Sequence, residues 1–283
     1  MTVNSDMIQL WNGEASASWS QSPERYDAML DGLGQRVLAA AALTEGERVL
    51  DVGCGAGQLT LQAAEQVGPT GTVLGVDVSH DLVAVTTARA SEAGLAQVAA
   101  VEADAQVHAF PTAGFDAVLS RFGVMFFADP VGAFGNLLAA TAPGGRLAFV
   151  AWQAAPSNEW ITVPLMAVLP HVGPPTLPPP GAPGPFAFGD PDRLRSLLTE
   201  AGWSQVGIED VQTTLCVGGA RTGQEAAAFT SGDAFGRMVL AAAEPAAREA
   251  ALTALREAYD GHVVDGEVRL KAAAWLVTAR RST

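Results

Sequence analysis

Lysine is nearly missing: the 283 residues hold one, Lys271, and 16 Lys+Arg stand against 30 Asp+Glu for a formal net charge of −14. A phosphate backbone is held by clustered lysines and arginines, so nucleic acid is excluded as the main partner, and an anionic membrane surface would repel the chain. Cysteine is scarce too. Cys54 and Cys216 are too few for a disulfide framework, and no basic stretch followed by an apolar run opens the chain, so reduced thiols and a cytoplasmic setting are expected. Gly, Pro, Asp or Arg breaks every apolar stretch before the roughly 20 residues of a membrane span, which implies a soluble protein. Charged residues make up only 16% against 49% hydrophobic, enough apolar side chains to bury a core. The length suits one large domain, or one domain with a lid.

From Arg48 to about Gln153, β-branched runs alternate with Ala-rich helical stretches, the pattern of a parallel sheet covered by helices. Strands are expected at Arg48 to Val52, Thr72 to Val76, Gln97 to Glu102, Phe115 to Ser120 and Arg146 to Trp152. Helices are expected at about Gly57 to Val67, His80 to Ala93 and Pro130 to Ala142, the last opened by Asp129-Pro130 and ended by Gly144-Gly145. Ten of the 17 prolines fall between Pro164 and Pro191, too many for a helix or a central strand, so an extended connector or cover is predicted there. A helix from Asp190 to Ala201, a strand from Val206 to Leu215, an Ala-rich helical region from Gln224 to Asp260 broken at Pro245, and a last strand within Val268 to Arg280 follow. The fold class is α/β: a doubly wound, mostly parallel, Rossmann-like seven-stranded sheet with helical lid insertions. The expected division is an N-terminal helical cover over 1–46, a cofactor-binding core over 47–153, a Pro-rich connector over 154–190, and a C-terminal completion of the sheet over 191–283 with a helical insertion at about 218–262. In such sheets ligands sit beyond the carboxyl ends of the strands.

The most informative segment runs from Val49 through Asp51-Val52-Gly53-Cys54-Gly55-Ala56-Gly57-Gln58 to Leu61, a buried strand passing through glycines into an amphipathic helix. Glycines allow positive φ and let the backbone approach a ligand closely. Asp77 follows 20 residues after Gly57, at the end of the second strand, where a carboxylate accepts both hydroxyls of a ribose. An adenine nucleoside is therefore expected, and charge decides which one. Gln58 stands where a dinucleotide fingerprint needs a small residue, and at the start of the helix it is counted among the residues expected to bind the cofactor. Asp51, two residues before the first glycine, would repel a pyrophosphate but suits a ligand carrying an ammonium and a sulfonium. S-adenosyl-L-methionine carries both charges. Cys54 sits at a helix N-terminus, which lowers a thiol pKa, but no Cys-His-Asp arrangement accompanies it, and it is read as a small residue of the cofactor loop.

The motifs Asp51-Val52-Gly53-Cys54-Gly55-Ala56-Gly57, Gly75-Val76-Asp77-Val78-Ser79, Glu102-Ala103-Asp104-Ala105, Phe115-Asp116-Ala117-Val118-Leu119-Ser120 and Pro143-Gly144-Gly145-Arg146-Leu147 appear in order. With them the stretch Val49 to Trp152 resembles the class I S-adenosylmethionine-dependent methyltransferases, within the group that includes the ubiquinone and menaquinone biosynthesis enzymes. The resemblance implies that Gly53 and Gly55 line the methionine and ribose side, Asp77 holds the ribose and Val78 packs on adenine. It further implies that Asp104 accepts from the adenine amino group, that the Ala105 N–H faces the ring, and that Ser120 closes the cofactor from the fourth strand. The segment from Trp11 through Trp19 to Tyr26 resembles the helical cover of this group. A ring face attracts a sulfonium, and Tyr26 is the preferred ring for that place, with Trp11 and Trp19 as substrate walls or packing residues.

For the acceptor, an apolar pocket is expected from Phe122, Met125 and Phe126 past the fourth strand and from Trp152 and Trp160 near the fifth. Arg121 either pairs an acidic group of the acceptor or of the cofactor, or forms a structural ion pair. Methyl transfer depends mainly on positioning, and a base is needed only where the acceptor is protonated. His171, in the insertion expected over the acceptor, is the candidate base. No metal is expected. The partner is a small-molecule acceptor, and a homodimer is left open. Two other readings remain: a nicotinamide-dependent oxidoreductase, disfavoured by Gln58 and Asp51, and a cofactor-binding protein that does not transfer methyl, either a binding module or a cyclase.

Overall fold

A computed structural model describes residues 4–174, 179, 181–241 and 243–283. Three helices open the chain: α1 (Ser5–Trp11), α2 (Glu14–Gln21) and α3 (Pro23–Ala41). Then come β1 (Arg48–Val52), α4 (Gln58–Val67), β2 (Thr72–Asp77), α5 (His80–Glu92), β3 (Val98–Glu102) and β4 (Phe115–Arg121), followed by α6 (Pro130–Ala140) and β5 (Thr141–Trp152). The sheet runs β3-β2-β1-β4-β5 in parallel and ends in two long antiparallel strands, β8 (Glu267–Arg280) and β6 (Ser204–Cys216), while the short β7 (Val263–Val264) folds onto β8. This is the doubly wound, mostly parallel sheet expected from the alternating pattern. β1 is an interior strand, flanked by β2 and β4, and Val49, Leu50, Asp51 and Val52 are accordingly all buried. The strand order reverses between β1 and β4, so the crevice opens at their carboxyl ends.

α3 is more than a cover. Leu30, Leu33, Val37, Leu38 and Ala41 form an apolar stripe at helical spacing, and it lies against β4 and β5 in the main core. A second, smaller core joins α7 (Glu159–Val172), α9 (Gly223–Gly232), α10 (Ala234–Leu240) and α11 (Pro245–Asp260) to the first half of β8. β8 therefore runs through both cores, with Val268 and Leu270 in the small one and Ala272 to Ala279 in the large one.

Three expectations are corrected. The stretch beginning at Pro164 is not all extended: Pro164 and Pro170 lie inside α7, which packing on α11 and β8 holds in place against the loss of two backbone N–H donors. Pro175, Pro178 and Pro180 of the expected connector lie outside the described residues. The sixth helix stops at Ala140 instead of running to 142, because Pro143 disfavours helical backbone before it and Thr141 pairs with Phe115 of β4. The Ala-rich region breaks at Asp233 as well as at Pro245, and the Asp233 carboxylate caps α10 by accepting from Gly236 N at 2.8 Å. The expected helix after Asp190 is α8 (Pro191–Glu200), with Asp190 accepting from the N–H groups of Asp192 and Arg193.

Candidate functional site

The glycine loop leaves β1 in a left-handed turn that a side chain would obstruct. Gly53 has φ +67°, and a Cβ there would stand 2.6 Å from Gly123 Cα. Gly123 is held in turn by Ser120, whose buried hydroxyl donates to Val52 O at 2.7 Å and accepts from Gly123 N at 3.1 Å. The loops after β1 and β4 are thus pinned backbone to backbone. Ser120 performs that pinning, with its hydroxyl turned to Val52 and Gly123.

Asp51 is 1% exposed. Its Oδ2 accepts from the Thr60 hydroxyl at 2.6 Å, and its Oδ1 has no hydrogen-bond partner among the described residues. Burial pushes its carboxyl up to about 6, against the lowering effects of the Thr60 hydrogen bond and the Arg121 charge. A buried acceptor left unpaired costs free energy unless something fills it, and an ammonium suits it best. Asp77, at the end of β2, accepts from Gly55 N and Ser79 N, both at 2.9 Å. Burial raises its pKa, and those N–H groups oppose the rise. Cys54 is buried beside them, and desolvation followed by the charges of Asp77 and Asp51 drives its thiol pKa well up. A thiol so raised is held as the neutral form, which agrees with its reading as a small residue of the loop.

A cavity of about 30 Å³ is lined by Asp51, the loop Gly53 to Ala56, Leu59, Trp19, Asp27 and Arg121. Trp19 of α2 forms part of its wall, so the helical cover closes directly on the glycine loop. Asn12 latches the cover: its Nδ2 donates to Val78 O at 2.7 Å and its Oδ1 accepts from His80 N at 3.1 Å. Trp19, rather than Tyr26, lines the cavity. The Tyr26 ring stacks against Trp19 at 4.0 Å and does not itself line the cavity, contrary to the place expected for it. Trp11 packs edge-on against Phe126 at 5.2 Å. Asp104 accepts from Gln106 N at 3.0 Å, and Ala105 next to it is buried.

Gln58 and Arg121 belong to a polar cluster that no local sequence pattern announces. Arg121 donates to Gln58 Oε1, Gln58 and Gln62 each donate to Asp31 Oδ1 at 2.9 Å, and Arg89 bridges Asp27 Oδ2 and Ala56 O, both at 2.6 Å. Asp27 and Asp31 bolt α3 to the glycine loop. The available signal was Asp27 itself, a carboxylate three residues before Leu30 on the apolar stripe of α3.

The expected acceptor aromatics do come together. Phe122 stacks on Trp152 at 4.0 Å, Trp152 lies 5.1 Å from Trp160, and Trp160 stacks on Phe186 at 5.6 Å. Phe186 was not foreseen. Met125 is core, with its sulfur accepting from Trp152 N at 3.3 Å. His171 does not join this group. It is exposed in the last turn of α7 and lines a groove of about 470 Å³ against α11, which shares no residue with the cavity at the glycine loop.

Among the described residues, no helix is long and apolar enough to cross a membrane. A methyltransferase-domain family model matches residues 43–166. Aklanonic acid methyltransferase DauC of Streptomyces sp. is 34% identical over 140 residues, 48% of this chain and 64% of that protein. The demethylmenaquinone methyltransferase of Thermus thermophilus is 34% identical over 169 residues, 56% of this chain and 74% of that one. The chain thus spans just under two thirds of the first relative and about three quarters of the second. Among solved structures, the [4+2]-cyclase SpnF superposes with a TM-score of 0.55 at 25% identity, covering 89% of this chain and 81% of the other. With a glycine loop and the carboxylates of Asp51 and Asp77 at the switch point of this sheet, and at this likeness to a methyltransferase covered across about three quarters of its length, the chain belongs to the class I S-adenosylmethionine-dependent methyltransferases.

Proposed function

We propose that this protein transfers the methyl group of S-adenosylmethionine to a medium-sized, largely apolar small molecule by in-line displacement. The observation that carries the reading is the unpaired Oδ1 of buried Asp51 beside the glycine loop, a place for an ammonium and a poor one for a phosphate. When bound, the cofactor supplies an electrophilic methyl on a sulfonium. In this reading the protein's own groups bind and orient. Asp51 takes the ammonium, Gly53 and Gly55 let the backbone approach, and Asp77 exchanges part of its hold on Gly55 and Ser79 for the ribose hydroxyls. Val78, Asp104 and Ala105 bound the adenine, and the Trp19 face lies toward the cation. The stack of Phe122, Trp152, Trp160 and Phe186 at the carboxyl edge of β4 and β5 supports a flat, apolar acceptor, held so that its reacting atom meets the methyl in line. The exposed groove position of His171 leaves it without a part in this scheme.

Gln58 and Asp51 speak against the nicotinamide reading, since one is tied into the Asp31–Arg121 cluster and the other brings a carboxylate to where a pyrophosphate would lie. The likeness to a cyclase supports a second reading, a bound cofactor that is not consumed. Calorimetric titration with S-adenosylhomocysteine and NAD, followed by incubation with methyl-labelled cofactor and a panel of phenols, carboxylic acids, amines and quinones, separates the three. The proposal expects binding of the first ligand only and labelled product with at least one acceptor. Binding without product across the panel favours the second reading, and binding of NAD alone overturns both.

A further inference from the structure

Arg121 ends β4 next to β1, on the same face of the sheet as Asp51, and both line the same small cavity. Its side chain is 11% exposed, yet among the described residues its guanidinium makes one hydrogen bond, from Nη1 to Gln58 Oε1. The nearest carboxylate oxygen, Asp27 Oδ1, lies 3.8 Å from Nη2, an ion-pair distance but beyond a hydrogen bond. Asp27 is committed elsewhere, holding Arg89 at 2.6 Å. A guanidinium carries five N–H donors in a planar fork that matches a carboxylate. The cavity therefore sets a buried cation with unused donors beside a buried carboxylate with an unused acceptor, the complement of a zwitterion whose two charged groups share one carbon.

We propose that Arg121 receives the α-carboxylate of the cofactor's amino-acid end, while Asp51 Oδ1 receives the α-ammonium of the same group. This rests on the proposed function and assigns Arg121 to the cofactor instead of the acceptor. Asp27 neutralises Arg121 without occupying its donors, and Gln58 fixes the plane of the fork. Arg121 is thereby a specificity residue for intact amino-acid termini, and the pair rejects nucleosides that lack either charge.

The test is calorimetric binding of S-adenosylhomocysteine, its decarboxylated analogue, which keeps the ammonium, and 5′-methylthioadenosine, which lacks the whole amino-acid end. The wild-type protein should prefer S-adenosylhomocysteine to the decarboxylated analogue by about tenfold to hundredfold, the usual worth of a charge-assisted hydrogen bond. Arg121→Gln should erase that preference and leave 5′-methylthioadenosine unchanged within about twofold; Arg121→Lys should restore part of it. Asp51→Asn should weaken the first two ligands together. Equal wild-type affinity for the first two ligands overturns the proposal, and this comparison needs no variant to fold. Loss of all three ligands in a folded Arg121→Gln also overturns it, since that is the signature of a purely structural residue. If the wild-type protein binds none of the three, the reading of the site itself fails along with the role of Arg121.

Discussion

Replacing Asp51 by Asn should make the unliganded protein more tolerant of neutral pH and a poorer binder of cofactor. The carboxyl ionises near its ordinary 3.8 in the unfolded chain and at about 6 when buried, so between those values the folded state holds a proton that the unfolded state has released. The unfolded state then binds fewer protons, and stability must fall as pH rises through the window. The group's contribution is complete below 3.8, is lost as pH rises through 6, and is flat above about 7. Two pKa units correspond to about 3 kcal/mol in full, of which about 1.4 kcal/mol falls between pH 5 and pH 8. Asn carries no charge and keeps an oxygen for the Thr60 hydroxyl, although its amide N–H groups lack partners and offset some of the gain. Urea denaturation of both proteins at several pH values removes the background of other groups. The stability of Asp51→Asn minus that of wild type should grow by about 1 to 1.5 kcal/mol from pH 5 to pH 8. An ammonium ligand reverses the balance, so wild-type affinity for S-adenosylhomocysteine should rise with pH through about 6 while the variant stays weak and flat. A stability difference that does not change with pH would refute the reasoning, because it would mean that Asp51 ionises normally and that nothing needs to pair it.

Gly53→Ala sets a methyl against Gly123 backbone and disrupts the Ser120 anchor, so it should cost more than 3 kcal/mol or prevent folding; Gly55→Ala, also at positive φ but with nothing within 4 Å of the new Cβ, should cost only about 1 to 2 kcal/mol, read by thermal unfolding. Asp77→Ala should weaken S-adenosylhomocysteine by about 1 to 3 kcal/mol, and unchanged affinity by calorimetry would place the ribose elsewhere. Asn12→Ala removes the latch to Val78 and His80, so the cofactor should enter faster in stopped-flow Trp fluorescence; an unaltered rate would show that the cover opens by another route.

The sheet was legible because β1, β2, β4 and β5 read as apolar runs punctuated by glycines, and local pattern is enough to specify such strands. Asp51 and Asp77 were legible for a related reason: their spacing from the glycines is fixed by the strand–turn–helix unit itself. α7 was not, since Pro164 and Pro170 argue against a helix locally and only its packing on α11 and β8 overrides them. The placement of His171 failed with it, as a residue expected over the acceptor turned out to end a helix facing α11. The Asp27–Arg89–Arg121–Gln58 cluster joins residues up to 94 positions apart, and the choice between Tyr26 and Trp19 depends on which face of a stack meets the cavity. Neither is written in any local period.

Whether the unpaired oxygen of Asp51 receives the cofactor's ammonium is read from a crystal structure of the protein with S-adenosylhomocysteine. The amino-acid end should lie at Asp51 in the crevice beyond β1, the ribose on Asp77 and the adenine beside Asp104, with α1 and α2 displaced from their closed position. A nucleoside bound away from the glycine loop, or Asp51 Oδ1 still without a partner in the complex, would contradict it.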